Sequence, residues 1–107
     1  MKKYDINTFK SGWFIGDFEP SLLKTKDFEV AVKNYKRGDE ELSHVHKIAK
    51  EYTMILFGSV VINDQIFTAG DIVEIEPGEY ARFKALEDCT TLVVKTPSVK
   101  GDKYVRE

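Results

Sequence analysis

A chain of 107 residues, 42% hydrophobic and 12% aromatic, carries enough apolar material for one modest core. Its charge is 32% and nearly balanced, at formal net -2 and a pI of about 5.7, which lacks the basic excess of a nucleic-acid binder. The single cysteine, Cys89, excludes an intrachain disulfide and an all-cysteine zinc site.

Lys2 and Lys3 resemble the start of a signal peptide, but no apolar stretch follows them. The longest apolar run, Met54-Ile55-Leu56-Phe57-Gly58, is too short to cross a bilayer. The expectation is therefore a cytoplasmic protein with no membrane and no nucleic-acid partner, forming a single domain over residues 1–107. Residues 1–11 are polar and mixed, and are expected to form an arm or an edge strand.

Gly12-Trp13-Phe14-Ile15-Gly16-Asp17-Phe18 packs aromatics around two glycines without clean alternation. Trp13, Phe14, Ile15 and Phe18 offer more apolar surface than one strand face hides, and the expectation is a homodimer built on them. Pro20-Ser21 marks a turn. Alternation becomes clear from Phe28: Phe28, Val30 and Val32 share one face, and Glu29, Ala31 and Lys33 the other, as in a half-buried strand. Lys36-Arg37-Gly38-Asp39 supplies the next turn.

The only two histidines, His44 and His46, lie two residues apart, so a strand there points both to one face. Helical spacing of Glu40, Glu41, His44 and Lys47 offers another reading, but Leu42, Val45 and Ile48 make too thin an apolar stripe. Tyr52–Phe57 reads as a central strand, beginning directly after Glu51. In that strand Glu51, Thr53, Ile55 and Phe57 share a parity, with Glu51 at the open end and the apolar residues inside.

Asn63-Asp64 between two β-rich runs predicts a hairpin, and Pro77-Gly78 is the strongest turn signal in the chain. Thr91-Leu92-Val93-Val94 supplies a late strand. Residues 96–107 form a polar, proline-marked tail, expected to pack along the outside or fray. Many short strands with close turns and no helical period imply an all-β sandwich or barrel.

Two imidazoles and a carboxylate are suitable donors for a divalent metal. The full spacing carries more: Gly38, five residues, His44-x-His46, four residues, Glu51, six residues, Gly58. This pattern resembles the first motif of the cupin family at every position. Residues 70–85 resemble the second motif, with Gly70 and Gly78 in place. Ala81 and Ala85 stand where the family has histidine and asparagine, and the motif's proline is displaced to Pro77.

The resemblance implies a small cupin-type double-stranded β-helix, or jelly-roll barrel, with His44, His46 and Glu51 as metal ligands. It favours Fe(II), with manganese, nickel and zinc as alternatives, and a small-molecule ligand. Ala81 has no electron pair to donate, so a four-ligand site is not available. Glu74, Glu76, Glu79 and Tyr80 are further oxygen donors nearby, and Tyr35, Tyr52, Arg82 and Lys95 are candidate pocket or rim groups. Two functional readings follow. One is a metal-dependent enzyme of oxygenase or isomerase/lyase type, and the other is a non-catalytic cupin binding a small ligand such as a sugar derivative. A structural or interaction role based on the aromatic segment is the third.

Overall fold

The chain folds as strands joined by tight turns; the structure, a computed structural model, describes residues 1–106. Two short 3-10 turns, Ile6–Thr8 and Lys10–Gly12, open the chain. Within the segment expected as an arm or edge strand, Ile6–Thr8 and Lys10–Gly12 are turns rather than strand. Asp5 explains the first turn, since its carboxylate accepts the Asn7 N–H at 2.8 Å.

The strands follow as β1 (Trp13–Ile15), β2 (Glu29–Tyr35), β3 (His44–Val45), β4 (Lys50–Phe57), β5 (Ser59–Ile62) and β6 (Gln65–Thr68). Then come β7 (Ile72–Ile75), β8 (Tyr80–Ala81), β9 (Phe83–Ala85), β10 (Cys89–Thr96) and β11 (Tyr104–Val105). A five-stranded sheet runs β1-β2-β10-β4-β7, and two three-stranded sheets, β11-β3-β8 and β6-β5-β9, complete the fold. All pairings are antiparallel.

Ile55 and Ile75 from the large sheet meet Val60, Ile62, Ala81, Phe83 and Ala85 from the small ones, so the core lies between the two layers. Ile55 and Val60 are fully buried, and each such side chain contributes about 1.5–3 kcal/mol by leaving water. The Asn63-Asp64 hairpin forms as expected, with positive φ of 49° and 67° at its two central residues.

On β2 the two predicted faces exist, and the more polar one points inward: Glu29 and Ala31 are buried and Lys33 and Tyr35 partly so, while Phe28 is exposed. Cross-strand register carries the same inward row onto β10 and β4, where Val93 opposes Ala31 and Thr53. An apolar outer face thus remains on the large sheet, formed by Val30, Val32, Leu92, Val94, Tyr52 and Met54.

Phe57, expected inside, is 64% exposed. Adjacent Thr90 and Thr91 oppose Phe57 and Ile55, so a bulge inserts one residue into β4 and turns the aromatic ring outward. Gly58 follows at φ 83°, where a Cβ would run into the Asp88 backbone oxygen. Among the described residues, no helix is long and apolar enough to cross a membrane.

Candidate metal centre

Strand periodicity turns His44 and His46 to the same side, and both are buried, at 7% and 5% exposure. Glu51 enters from the start of β4, next to Thr53 on the inward row. One donor atom from each of the three lies within 4.8 Å of the others, and His46 Nε2 is 3.4 Å from Glu51 Oε1.

Backbone carbonyls fix both rings. His44 Nδ1 lies 2.9 Å from the Leu42 carbonyl oxygen, and His46 Nδ1 meets the Asp102 carbonyl oxygen. A carbonyl only accepts, so each Nδ1 carries the hydrogen, and the nitrogen of each ring that is left to ligate is Nε2. Beside Glu51, the His46 Nε2 lone pair faces a carboxylate, another electron-pair donor. Two such groups at this distance call for a cation, either a proton on the ring or a metal ion.

Two donors bound to one ion at about 2.1 Å stand about 3.0–3.4 Å apart when adjacent. The His46–Glu51 pair already has that separation, and the residues present fit a metal ion. Burial opposes the Glu51 charge, but the neighbouring His46 ring and the Thr53 hydroxyl, which donates to Glu51 at 2.8 Å, outweigh it and keep its pKa below the ordinary value. Burial pushes the His44 pKa down, against the raising effect of its Leu42 hydrogen bond, and a neutral ring is the form that ligates.

The position at which the motif resemblance implies a fourth donor is visible in the register. Ala81 on β8 pairs directly with His44 on β3, is buried, and lines the same cavity. Its neighbour Arg82 faces away and is exposed. Gly78, at φ 86°, donates its N–H to the His46 carbonyl at 2.8 Å, so the Pro77-Gly78 turn closes on the centre although it contributes no ligand.

Tyr35 and Lys95 line the cavity, whereas Tyr52 lies on the outer face opposite Val94. Glu74 and Glu76 pair with Lys50 at 3.4 and 3.5 Å, Glu79 accepts the Glu76 N–H, and Tyr80 stacks under Arg106. None of these four reaches the centre, because the turn around Pro77-Gly78 directs them to the surface.

Trp13 is a wall of the cavity, with Lys33 and Lys95 ammonium groups 5.2 and 4.8 Å from its ring centre. The cavity measures about 120 Å³ and adds Glu41, Phe83 and Lys103 to the residues named above. The Tyr35 hydroxyl donates to Glu41 at 2.6 Å, and burial followed by the Glu41 charge pushes the phenol pKa far up.

Asp102 is the residue that sequence reasoning missed. Its carboxylate accepts the backbone N–H groups of Lys47, Ile48 and Ala49, the loop between His46 and Glu51. β11 then pairs with β3, and Arg106 N–H reaches the Ser43 carbonyl at 2.8 Å. As far as Arg106 the tail packs against β3 rather than fraying, and Glu107 lies outside the described residues. The only signal available was an Asp after Gly101, which is a common turn composition.

A two-layer jelly roll with two histidines and a carboxylate converging at one end defines the class of protein. The particular fold is a double-stranded β-helix. An uncharacterized conserved protein with a double-stranded β-helix domain from Klebsiella pneumoniae superposes with TM-score 0.74 at 21% identity, over 99% of this chain and 92% of that one. DMSP lyase DddQ from Ruegeria pomeroyi gives 0.70 at 17% identity over 82% of this chain and 47% of that chain. A cupin-superfamily sugar phosphate isomerase from Silicibacter pomeroyi gives 0.61 at 24% identity over 65% of this chain and 50% of that chain. This chain thus spans about half the length of the latter two. At these identities the likeness concerns the fold. No family model matches the chain, and no curated protein matches it in sequence.

Proposed function

We propose that the protein is a metal-dependent cupin enzyme acting on a small polar metabolite, with His44, His46 and Glu51 holding one divalent ion. The observation that carries this reading is the orientation of the rings: both Nδ1 atoms are engaged by backbone carbonyls, and His46 Nε2 faces the Glu51 carboxylate. Two histidines and one carboxylate suit Fe(II) and leave positions open, and the same donors accept manganese, nickel or zinc. When bound, the ion supplies Lewis acidity that stabilises negative charge developing on a substrate oxygen.

The chain's own groups prepare that chemistry. Thr53 orients the Glu51 carboxylate, while Ile62, Ile75 and Phe83 keep the cavity floor apolar. An isomerase and a lyase share the fold, and the donor set suits oxygenase and isomerase/lyase chemistry alike. The test is metal analysis of tag-free protein after supplementation with each ion. One ion per chain, lost in His44→Ala and His46→Ala protein, supports the reading, and failure to retain any ion sinks it. Ala81 motivates the second reading, a binding protein without catalysis. Thermal stabilisation by one metabolite class but not by metals favours it.

We also propose that the chain pairs as a homodimer through the outer face of Val30, Val32, Leu92, Val94, Tyr52 and Met54, rather than through Trp13, which serves the cavity. This face is framed by polar groups, the Asn34–Thr90 hydrogen bond at one end and the Lys50–Glu74 pair at the other, as in a dry interface core with a polar rim. Sedimentation decides: Leu92→Glu should convert a dimer into a 12.3 kDa species. A wild type already at that mass rules the dimer out.

A further inference from the structure

The cations around the metal triad point to the kind of molecule that enters. Lys33, Lys95 and Lys103 all line the cavity that holds His44, His46 and Glu51. Lys95 pairs with Glu29 at 3.6 Å, both side chains being largely buried, and directly opposes Glu29 and Glu51 in the sheet. Lys33 and Lys103 have no carboxylate partner among the described residues. Glu41 is engaged by the Tyr35 hydroxyl.

Charge balance follows from these pairings. The three lysines are offset by Glu29, Glu41 and Glu51 when no metal is bound. A divalent ion on the triad then leaves the cavity lining positive, with half-buried Lys33 and exposed Lys103 its cations without a carboxylate partner among the described residues. Burial, opposed by Glu41, holds the Lys33 ammonium below its ordinary pKa. An anion beside it restores the interaction that desolvation removes. Size narrows the choice. An apolar cavity of about 150 Å³ accepts benzene, so the roughly 120 Å³ here suits a molecule of similar or smaller bulk. That excludes full burial of a nucleotide-sugar.

We propose that the cavity takes a small carboxylic acid of about three to five carbons. Its carboxylate lies between Lys33 and Lys103 beside Trp13, and its other polar group points toward His44, His46 and Glu51. This inference rests on the metal-centre reading for its second half only. The lysine subsite is made by this chain alone. A phosphate would meet the same charges, but a phosphate ester with a carbon skeleton of that length exceeds the space.

The probes are lactate, its neutral counterpart lactamide, and inorganic phosphate, titrated calorimetrically into zinc-supplemented protein. Trp13 is the only tryptophan, so its emission locates the binding event. Lactate should bind at least ten-fold more tightly than lactamide and more tightly than phosphate, with a change in Trp13 emission. Lys33→Gln and Lys103→Gln should each weaken lactate five-fold or more while leaving zinc content unaltered. Lys33→Arg, which keeps the charge, should retain binding and guards against a folding artefact at this half-buried site.

Equal binding of lactate and lactamide overturns the proposal. So does tighter binding of phosphate, heat without a Trp13 response, or indifference to both glutamine variants. If zinc fails to bind at all, the metal-centre reading falls separately. Lysine-dependent preference for lactate over lactamide in that metal-free protein still supports the anion subsite, and its absence overturns it.

Discussion

Asp102 grips the loop between His46 and Glu51: its backbone oxygen accepts Nδ1–H of His46, and its side chain caps the three residues after that histidine. The two residues are far apart in the chain, yet Asp102 sets the ring tautomer and the path from His46 to Glu51. Both Asp102 and His46 are buried, at 6% and 5% exposure. Orienting partners of this kind commonly change metal affinity by 10–100-fold.

Replacing Asp102 with Ala removes the carboxylate from three backbone donors, of which the Ala49 N–H is buried. Hydrogen bonds to charged groups contribute about 1.5–3 kcal/mol each, with incomplete additivity. The expected loss is about 2–4 kcal/mol in urea unfolding, with metal affinity at least ten-fold weaker in a competition titration. A variant of wild-type stability would show that the loop holds its shape without the cap.

Acid sensitivity should follow the same group. Burial works to raise the Asp102 pKa, but the donations from Ala49, Lys47 and Ile48 outweigh it and hold the folded value below the ordinary one. A depressed folded pKa means that the stabilisation is complete above the unfolded value of about 3.9 and is lost as pH falls through the folded value. The stability gap between wild type and Asp102→Asn is therefore expected to be constant near neutrality and to shrink below about pH 4. Unfolding midpoints measured from pH 7 downward check this, and a gap that widens in acid would contradict it.

Ala81→His adds a fourth donor at a position that already opposes His44 in register and lines the cavity. The expected outcome is metal affinity raised ten-fold or more, with a modest stability cost because a ring replaces a methyl group in a buried position. Equilibrium dialysis against a chelator reads the affinity. Unchanged affinity in a folded variant would place the fourth position out of reach of the triad.

Ile55 is fully buried at the centre of the core. Truncation to Ala should cost about 2–5 kcal/mol. Because Ile55 lies further along the inward row of β4 than Glu51 and Thr53, metal stoichiometry of the folded fraction should be preserved. Denaturant melts and metal analysis on the same preparation separate the two effects.

The sequence by itself determined the strand character, the turns and the convergence of His44, His46 and Glu51. Those depend on local rules: period two fixes which side chains share a face, glycine and proline fix the turns, and the spacing resembling the cupin motif fixes their order. It also marked Ala81 as a position without a donor. Which face of β2 looks inward was not legible, because alternation defines two faces without saying which meets the opposite layer. The apolar set Val30 and Val32 was the natural choice for a core, yet the neighbouring strands turned Lys33 and Tyr35 into the cavity. The bulge that exposes Phe57 arises from the pairing of β4 with β10, a relationship between distant segments. Asp102 was hidden for the same reason: a short polar side chain in a tail has no local signature of buried partners. Only the packing of that tail against β3 brings it within hydrogen-bond distance of the loop it holds.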